Sequence, residues 1–171
     1  MAPTISGSGP EISDPAVIRR VLTTPATWAV VGLSTDATRT AYGVARWLHD
    51  GLGHRIIPVH PRAVEVWGEP AYPALGLIPD GTEVAVVDCF VNSLRVGEVV
   101  DEAIANKERL GIETVWLQLG VIDHEAAQRA LLAGLDVVMD TCPMIQYDAL
   151  LGQRPGRRLC ERSDRHLHSR K

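Results

Sequence analysis

The fold of this chain is constrained most by one apolar segment, which ends in a single glycine and is followed by a polar turn. Residues 28–31 predict a short buried strand, Gly32 permits a sharp turn, and a helix is expected from about Thr40. Strand, turn and helix in this order form the first unit of a nucleotide-binding α/β domain, whose helix N-terminus can hold a phosphate. Gly32 stands alone, however, so the three-glycine fingerprint of dinucleotide-binding proteins is missing.

The alternation of strand and helix continues along the chain. Apolar runs predict further strands at 55–59, 83–87, 114–119 and 136–139. Helices are expected after Asp14, after Asn92 or Ser93 and after Asp123, and Leu94 is predicted to face the core with its helix. Residues 62–79 are expected to form a loop with room for one short helical turn. Short apolar strands that alternate with helices predict an α/β fold, a Rossmann-like doubly wound parallel sheet of about five strands.

Composition predicts one domain and excludes several classes of protein. The 171 residues are 46% hydrophobic, which suffices for a core, and the net charge of −4 argues against a nucleic-acid-binding protein. Three cysteines without a CxxC pair argue against a disulfide scaffold or a zinc site and favour a reducing compartment. Since neither a membrane span nor a signal peptide is recognisable, the expected location is cytoplasmic.

The charge is unevenly distributed along the chain. Residues 154–171 carry seven lysines and arginines against two acids, whereas the rest of the chain is strongly acidic. We therefore predict a flexible N-terminus over 1–12, a single domain over 13–147 and a basic tail over 148–171. Because of this tail, one alternative function is a regulatory module that uses the tail to bind an anionic partner.

Three loops at the carboxyl edge of the predicted sheet carry the candidate binding residues, because ligands of open α/β sheets bind at this edge. In the first loop, Gly32 permits the turn, Ser34 and Thr35 offer hydroxyl groups, and Arg39 offers a charged fork for a diphosphate. A capped helix beside a solvated arginine is the alternative interpretation of this loop.

The second loop is His60-Pro61-Arg62, and it lacks the acid that an NAD site places against the ribose. A basic residue suits a ribose that bears an extra phosphate, as in NADP or coenzyme A. Arg62 as a solvated surface charge and His60 as a hydrogen-bonding loop residue remain the alternatives.

The third loop contains Phe90, Val91 and Asn92, and Phe90 is the only phenylalanine of the chain. An aromatic ring at this edge can stack on adenine, although core packing explains it equally well. Cys142 is also expected near this edge, as an ordinary thiol rather than a nucleophile.

No catalytic or metal-binding motif is recognisable. The sequence contains no GxSxG, HExxH or GxxxxGK[ST], and Asp123-His124-Glu125 is typical of a helix start. We therefore predict no catalytic residue and no metal ligand, which favours a binding protein over an enzyme. An NADP-dependent enzyme remains the alternative.

Segments along most of the chain resemble the stand-alone CoA-binding proteins, which are related to the CoA-binding domain of the succinyl-CoA synthetase α subunit. The matching segments lie at 29–34, 39–44, 57–61, 67–69, 87–91, 115–121 and 138–143. The resemblance implies that coenzyme A or an acyl-CoA is bound across the carboxyl edge. It assigns the diphosphate to Gly32–Thr35 with Arg39, and the nucleotide to His60-Pro61 and Phe90–Asn92.

Two departures limit what the resemblance implies. His60 stands where relatives usually carry asparagine. The synthetase also places its phosphorylated histidine in a second domain, for which this chain has no room, so synthetase activity is not expected.

Overall fold

The computed structural model describes residues 9–62 and 65–152. Their strands are β1 Thr27–Val31, β2 Arg55–Val59, β3 Glu65–Val66, β4 Glu69–Pro70, β5 Val86–Cys89, β6 Thr114–Leu117 and β7 Asp136–Val138. Their helices are α1 Pro15–Thr23, α2 Thr40–Leu52, α3 Val96–Ala105, α4 Lys107–Leu110, α5 His124–Leu132 and α6 Pro143–Leu151, with a 3-10 turn at Leu75–Leu77.

Five strands form one parallel sheet in the order β2-β1-β5-β6-β7, and β3 and β4 form a separate antiparallel pair. The predicted Rossmann-like α/β fold is therefore confirmed. The chain proceeds from β1 outward to β2 and later returns to place β5 on the other side of β1. This reversal opens a crevice beside the carboxyl end of β1, where ligands of such folds bind.

Helices cover both faces of the sheet, because alternate strand residues point to opposite sides. Trp28 and Val30 of β1 belong to the core beneath α1, α2 and α6. Ala29 and Val31 belong to the core beneath α3, α4 and α5. Burial on both faces explains why these strands are continuous apolar runs rather than alternating ones.

The predicted helix starts after Asp14 and Asp123 are confirmed, since each aspartate accepts a backbone N–H at the start of its helix. The predicted start of α3 is wrong by a few residues. Arg95 is the N-cap of α3, and Asn92 instead accepts the N–H of Arg95 in the turn that precedes the helix. Because this turn displaces Leu94 from the helix, its side chain is 95% exposed, and the predicted core position is wrong.

The third predicted strand is displaced toward the C-terminus. Strand β5 begins at Val86 rather than residue 83, and it includes Asp88 and Cys89, which the sequence assigned to the following loop. Val84 and Ala85 bond instead to the carbonyl groups of Leu110 and Thr27. Asp88 is thus fully buried within the sheet.

Three features were not predicted: the β3–β4 hairpin, the short helix α4 and helix α6. The β3–β4 hairpin turns through Trp67 and Gly68, which both have positive φ angles, at 52° and 80°. Helix α6 extends to Leu151, four residues past the predicted end of the domain, and packs Tyr147 edge-on against Trp47.

The basic tail from 153 onward lies outside the described residues. No helix within the described ranges has the length and apolar character needed to cross a membrane.

Candidate functional site

A cleft of about 1010 Å³ lies at the carboxyl edge, above β2, β1 and β5. Three loops border it, here called the first loop (32–39), the second loop (60–62) and the third loop (90–95). The lining residues are Val31, Gly32, Ser34, Asp36, Arg39, Thr40, Ala41, Val59, His60, Pro61, Arg62, Pro73, Ala74, Phe90, Val91, Asn92, Arg95, Glu98, Val99 and Glu102. The structure therefore brings nine of the ten predicted binding residues together, and Thr35 is the one that does not line the cleft.

Gly32 allows the first and third loops to meet. Its φ of 100° is strained for any residue with a side chain, and a Cβ there would lie 2.6 Å from the carbonyl oxygen of Phe90. Gly32 also donates its N–H to Val59, at the end of β2. Gly32 thus permits the turn expected from the sequence, and it also allows the ends of β1, β2 and β5 to approach one another.

The first loop is internally hydrogen-bonded around Asp36. Its carboxylate accepts from the Thr38 N–H at 3.0 Å and the Thr38 hydroxyl at 2.6 Å, and it lies 3.6 Å from Arg39. The Thr38 hydrogen bonds, helped by Arg39, lower the pKa of Asp36, so this carboxylate is ionised at neutral pH. Ser34 accepts the N–H of Asp36, which leaves its own hydroxyl hydrogen for another acceptor.

The N-terminus of α2 faces the cleft through Thr40 and Ala41. Its N-cap is Arg39, which provides no side-chain hydrogen bond within the described chain. By contrast, aspartates cap α1 and α5. Free N–H groups and the positive end of the helix dipole therefore point toward the cleft, and such groups attract anions.

The second loop turns through a histidine. His60 Nδ1 accepts the N–H of Arg62 at 3.1 Å, while the backbone N–H of His60 bonds to Tyr72. Tyr72 forms a bridge beside Val59, which brings the following Pro73 and Ala74 into the wall of the cleft. His60 is thus a hydrogen-bonding loop residue, as the alternative interpretation predicted, and it also lines the cleft.

Helix α3 supplies a wall that sequence reasoning missed. Arg95, Glu98, Val99 and Glu102 all line the cleft, and Glu102 also accepts the N–H of Gly76 at 2.8 Å. Their spacing of three or four residues is the signal that could have found them, because it places all four on one helix face directly after Asn92. In the third loop, Phe90 and Val91 are half-buried and contact the two opposite cores.

Two further loops at the carboxyl edge, residues 118–123 after β6 and 139–142 after β7, do not line the cleft. Gly120 donates its N–H to Asp140 at 2.7 Å, so these loops contact each other instead. Cys142 is the N-cap of α6 and packs against the core that contains Trp28, and it does not line the cleft. Within the described residues, no group of three or more His, Cys, Asp or Glu is placed to hold a metal ion.

Comparison with known proteins shows the family of this chain. Residues 26–148 match the family model of the CoA binding domain, and this chain belongs to that family. The chain is 33% identical over 132 residues to the protein YneT of Bacillus subtilis (strain 168), a match covering 77% of this chain and 93% of YneT.

Solved structures share the fold. A hypothetical protein from Pyrococcus horikoshii OT3 is 35% identical, with a TM-score of 0.71 over 81% of this chain and 93% of the other. A dinucleotide-forming acetyl-coenzyme A synthetase from Ca. Korarchaeum cryptofilum, solved with phosphate and ADP, is 25% identical, with a TM-score of 0.59. That match covers 72% of this chain but 27% of the synthetase.

Proposed function

We propose that this protein binds coenzyme A or one of its thioesters in the cleft at the carboxyl edge. The observation that carries the proposal is the convergence of three loops on one cleft in a chain of the CoA binding domain family. We further propose a cytoplasmic binding protein rather than an enzyme. This chain covers 27% of the synthetase to which it is similar, so we do not propose the synthetase reaction for it.

The diphosphate is assigned to the first loop and to the start of α2. Free N–H groups of the helix, the Ser34 hydroxyl and the Arg39 guanidinium all border this end of the cleft. Each is a donor, and charge-assisted hydrogen bonds from arginine to phosphate are the strongest of their kind. The packing of Gly32 against Phe90 supports the assignment, because a side chain at position 32 would separate these two loops.

The 3′-phosphate of coenzyme A is assigned to Arg62. This residue lies three positions after Val59, the last residue of β2, and the end of this strand faces the ribose in Rossmann-like sites. Among the described residues, Arg62 forms no ion pair and lines the cleft, so its guanidinium is available to a phosphate. Arg95 provides a second cation in the same cleft.

Calorimetric titration with coenzyme A, dephospho-coenzyme A and NADPH tests the proposal. We expect coenzyme A to bind most tightly, well below millimolar. Arg62→Gln is expected to reduce the preference for coenzyme A over dephospho-coenzyme A roughly tenfold or more, since a hydrogen bond between charged groups contributes about 1.5–3 kcal/mol.

Arg55→Gln is the matched control, because Arg55 lies at the opposite end of the same strand and pairs with Glu69. It should leave the preference unchanged. Absence of coenzyme A binding below millimolar would refute the proposal, and tighter binding of NADPH would favour the dinucleotide-dependent alternative.

A further inference from the structure

Three exposed apolar residues lie on one pair of hydrogen-bonded loops next to the cleft. Leu94 is 95% exposed, Leu119 63% and Ile122 42%, and we call these three residues the apolar rim. The other large exposed apolar residues of the described chain lie singly on separate elements: Leu77, Leu132 and Ile145. Single exposed apolar residues are ordinary, whereas a group of them beside a cleft marks a contact surface.

Hydrogen bonds hold the loops of the apolar rim together. The Ser93 hydroxyl donates to the carbonyl oxygen of Gly120 at 3.3 Å and accepts the N–H of Ile122 at 2.9 Å. Asp140 holds the N–H of Gly120 from the other side. These hydrogen bonds hold the backbone of the two loops that carry the rim, so little loop ordering is required when a ligand binds.

The apolar rim does not line the cleft but adjoins it through the third loop. Asn92 and Arg95 line the cleft, and Leu94 lies between them in the chain. Gly120 and Ile122 follow β6, the strand beside β5 on the side away from β1. A long ligand that leaves the cleft across the third loop therefore meets the rim next.

We propose that the apolar rim binds the acyl chain of a coenzyme A thioester, so the preferred ligand is an acyl-CoA rather than free coenzyme A. This inference rests on the proposed function, which places the nucleotide in the adjacent cleft. A free thiol has little apolar surface to bury, whereas each methylene of an acyl chain gains free energy when it leaves water. The polar wall of the cleft, with Arg95, Glu98 and Glu102, offers no comparable surface.

The test compares the affinities of acetyl-, butyryl-, hexanoyl- and octanoyl-CoA by calorimetry. Full burial of one methylene raises affinity about fourfold. A rim that covers only one side of the acyl chain gives about half that free energy, so each methylene raises affinity roughly twofold. Octanoyl-CoA is thus expected to bind roughly 30- to 100-fold more tightly than acetyl-CoA. In Leu94→Ser/Leu119→Ser this ratio should fall below about fivefold.

Leu132→Ser is the matched control, because Leu132 is 87% exposed and is the last residue of α5, the helix that begins just after the rim and leads away from it. It should retain the wild-type ratio. Equal affinity for all thioesters, or an unchanged ratio in the double variant, overturns the inference while coenzyme A binding still supports the proposed function. Failure of every coenzyme A compound to bind overturns both. An unchanged ratio with an altered sedimentation coefficient in the double variant would assign the rim to a second copy of the chain.

Discussion

At the scale of single residues, the charge of Asp36 opposes the anion that the first loop is proposed to bind. The carboxylate is ionised, lines the cleft and lies 3.6 Å from Arg39. The same group organises the loop through its two hydrogen bonds with Thr38. Its value to the loop is therefore structural, and its charge carries an electrostatic cost for phosphate binding.

Asp36→Asn is expected to bind coenzyme A more tightly than the wild type, by roughly two- to fivefold. Asparagine retains an acceptor for Thr38 but removes the negative charge, and a nearby charge at an exposed site contributes about 1 kcal/mol or less. Arg39→Ala should act in the opposite direction, with a loss of about tenfold. Calorimetry measures both, and Asp50→Asn, at the far end of α2, is the control.

Weaker binding by Asp36→Asn would mean that loop structure outweighs charge. Unchanged affinity in Arg39→Ala would return Arg39 to the role of a solvated surface residue.

Asp88 is a buried acid whose protonation affects stability near neutral pH. Burial raises its pKa from 3.8 to about 7, although a hydrogen bond from Gln118 at 2.6 Å partly opposes this shift. Its second carboxylate oxygen has no partner among the described residues. Between these two pH values the folded protein holds a proton that the unfolded chain has lost, so the free energy of unfolding decreases as the pH rises.

Asp88→Asn is therefore expected to be more stable than the wild type at pH 8, by about 1–4 kcal/mol, with the gain disappearing toward pH 4. Urea denaturation from pH 4 to 8 measures this difference. The pKa of His54 is lowered by burial and adds an opposite pH dependence, which cancels because both proteins contain it. A gain that is independent of pH would contradict the titration of Asp88.

At the scale of elements, Arg109 connects α4 to the segment that leads from the cleft wall into β5. Its guanidinium donates to the carbonyl groups of Ile78, Leu75 and Gly76 at 2.6–3.3 Å, and it pairs with Asp80 at 3.0 Å. No regular strand holds this segment, so its backbone carbonyls depend on a side-chain donor.

Arg109→Ala should destabilise the protein by about 2–3 kcal/mol, because several carbonyl groups lose a charged donor at once. The preceding Pro73 and Ala74 line the cleft, so affinity for coenzyme A should fall as well. Arg129→Ala is the control, since Arg129 pairs only with Asp101 at the surface among the described residues and should cost below about 1 kcal/mol. Equal losses in urea denaturation would contradict this role of Arg109.

At the scale of the whole molecule, the last described helix, α6, contributes to one of the two cores. Tyr147, Leu150 and Leu151 pack against the core beneath α1 and α2. From 153 onward, the only apolar residues apart from proline and glycine are Leu159, Cys160 and Leu167, too few to bury a large area.

A chain that ends at Gly152 is expected to melt within about 3 °C of the full-length protein. A chain that ends at Asp140, which lacks α6, should melt more than about 10 °C lower, because roughly 1 kcal/mol corresponds to 2–4 °C at this size. Thermal denaturation followed by circular dichroism compares the two. A large shift for the longer truncation would show that the basic tail belongs to the fold.

The sequence by itself determined the five-stranded parallel sheet and the alternation of strands and helices along the chain. It also determined which loops meet at the carboxyl edge of the sheet. Apolar runs, caps and glycines act locally, so β1, α2 and the start of α5 follow from nearby residues. The hairpin at Trp67 could not be predicted from nearby residues. Trp67 has a positive φ angle, and its ring contacts Tyr42 and Arg46, which lie far away in the chain.

Tertiary structure decided which further side chains share the cleft with the residues predicted from the sequence. Arg95 and Glu102 entered its wall because α3 packs beside the end of β5, and Leu94 became exposed because a turn delays that helix. Asp88 became a buried acid because its strand starts later than its apolar run predicts. Each outcome depends on packing between segments that are far apart in the chain. Local spacing can place Arg95 and Glu102 on one helix face, but it does not specify what that face packs against.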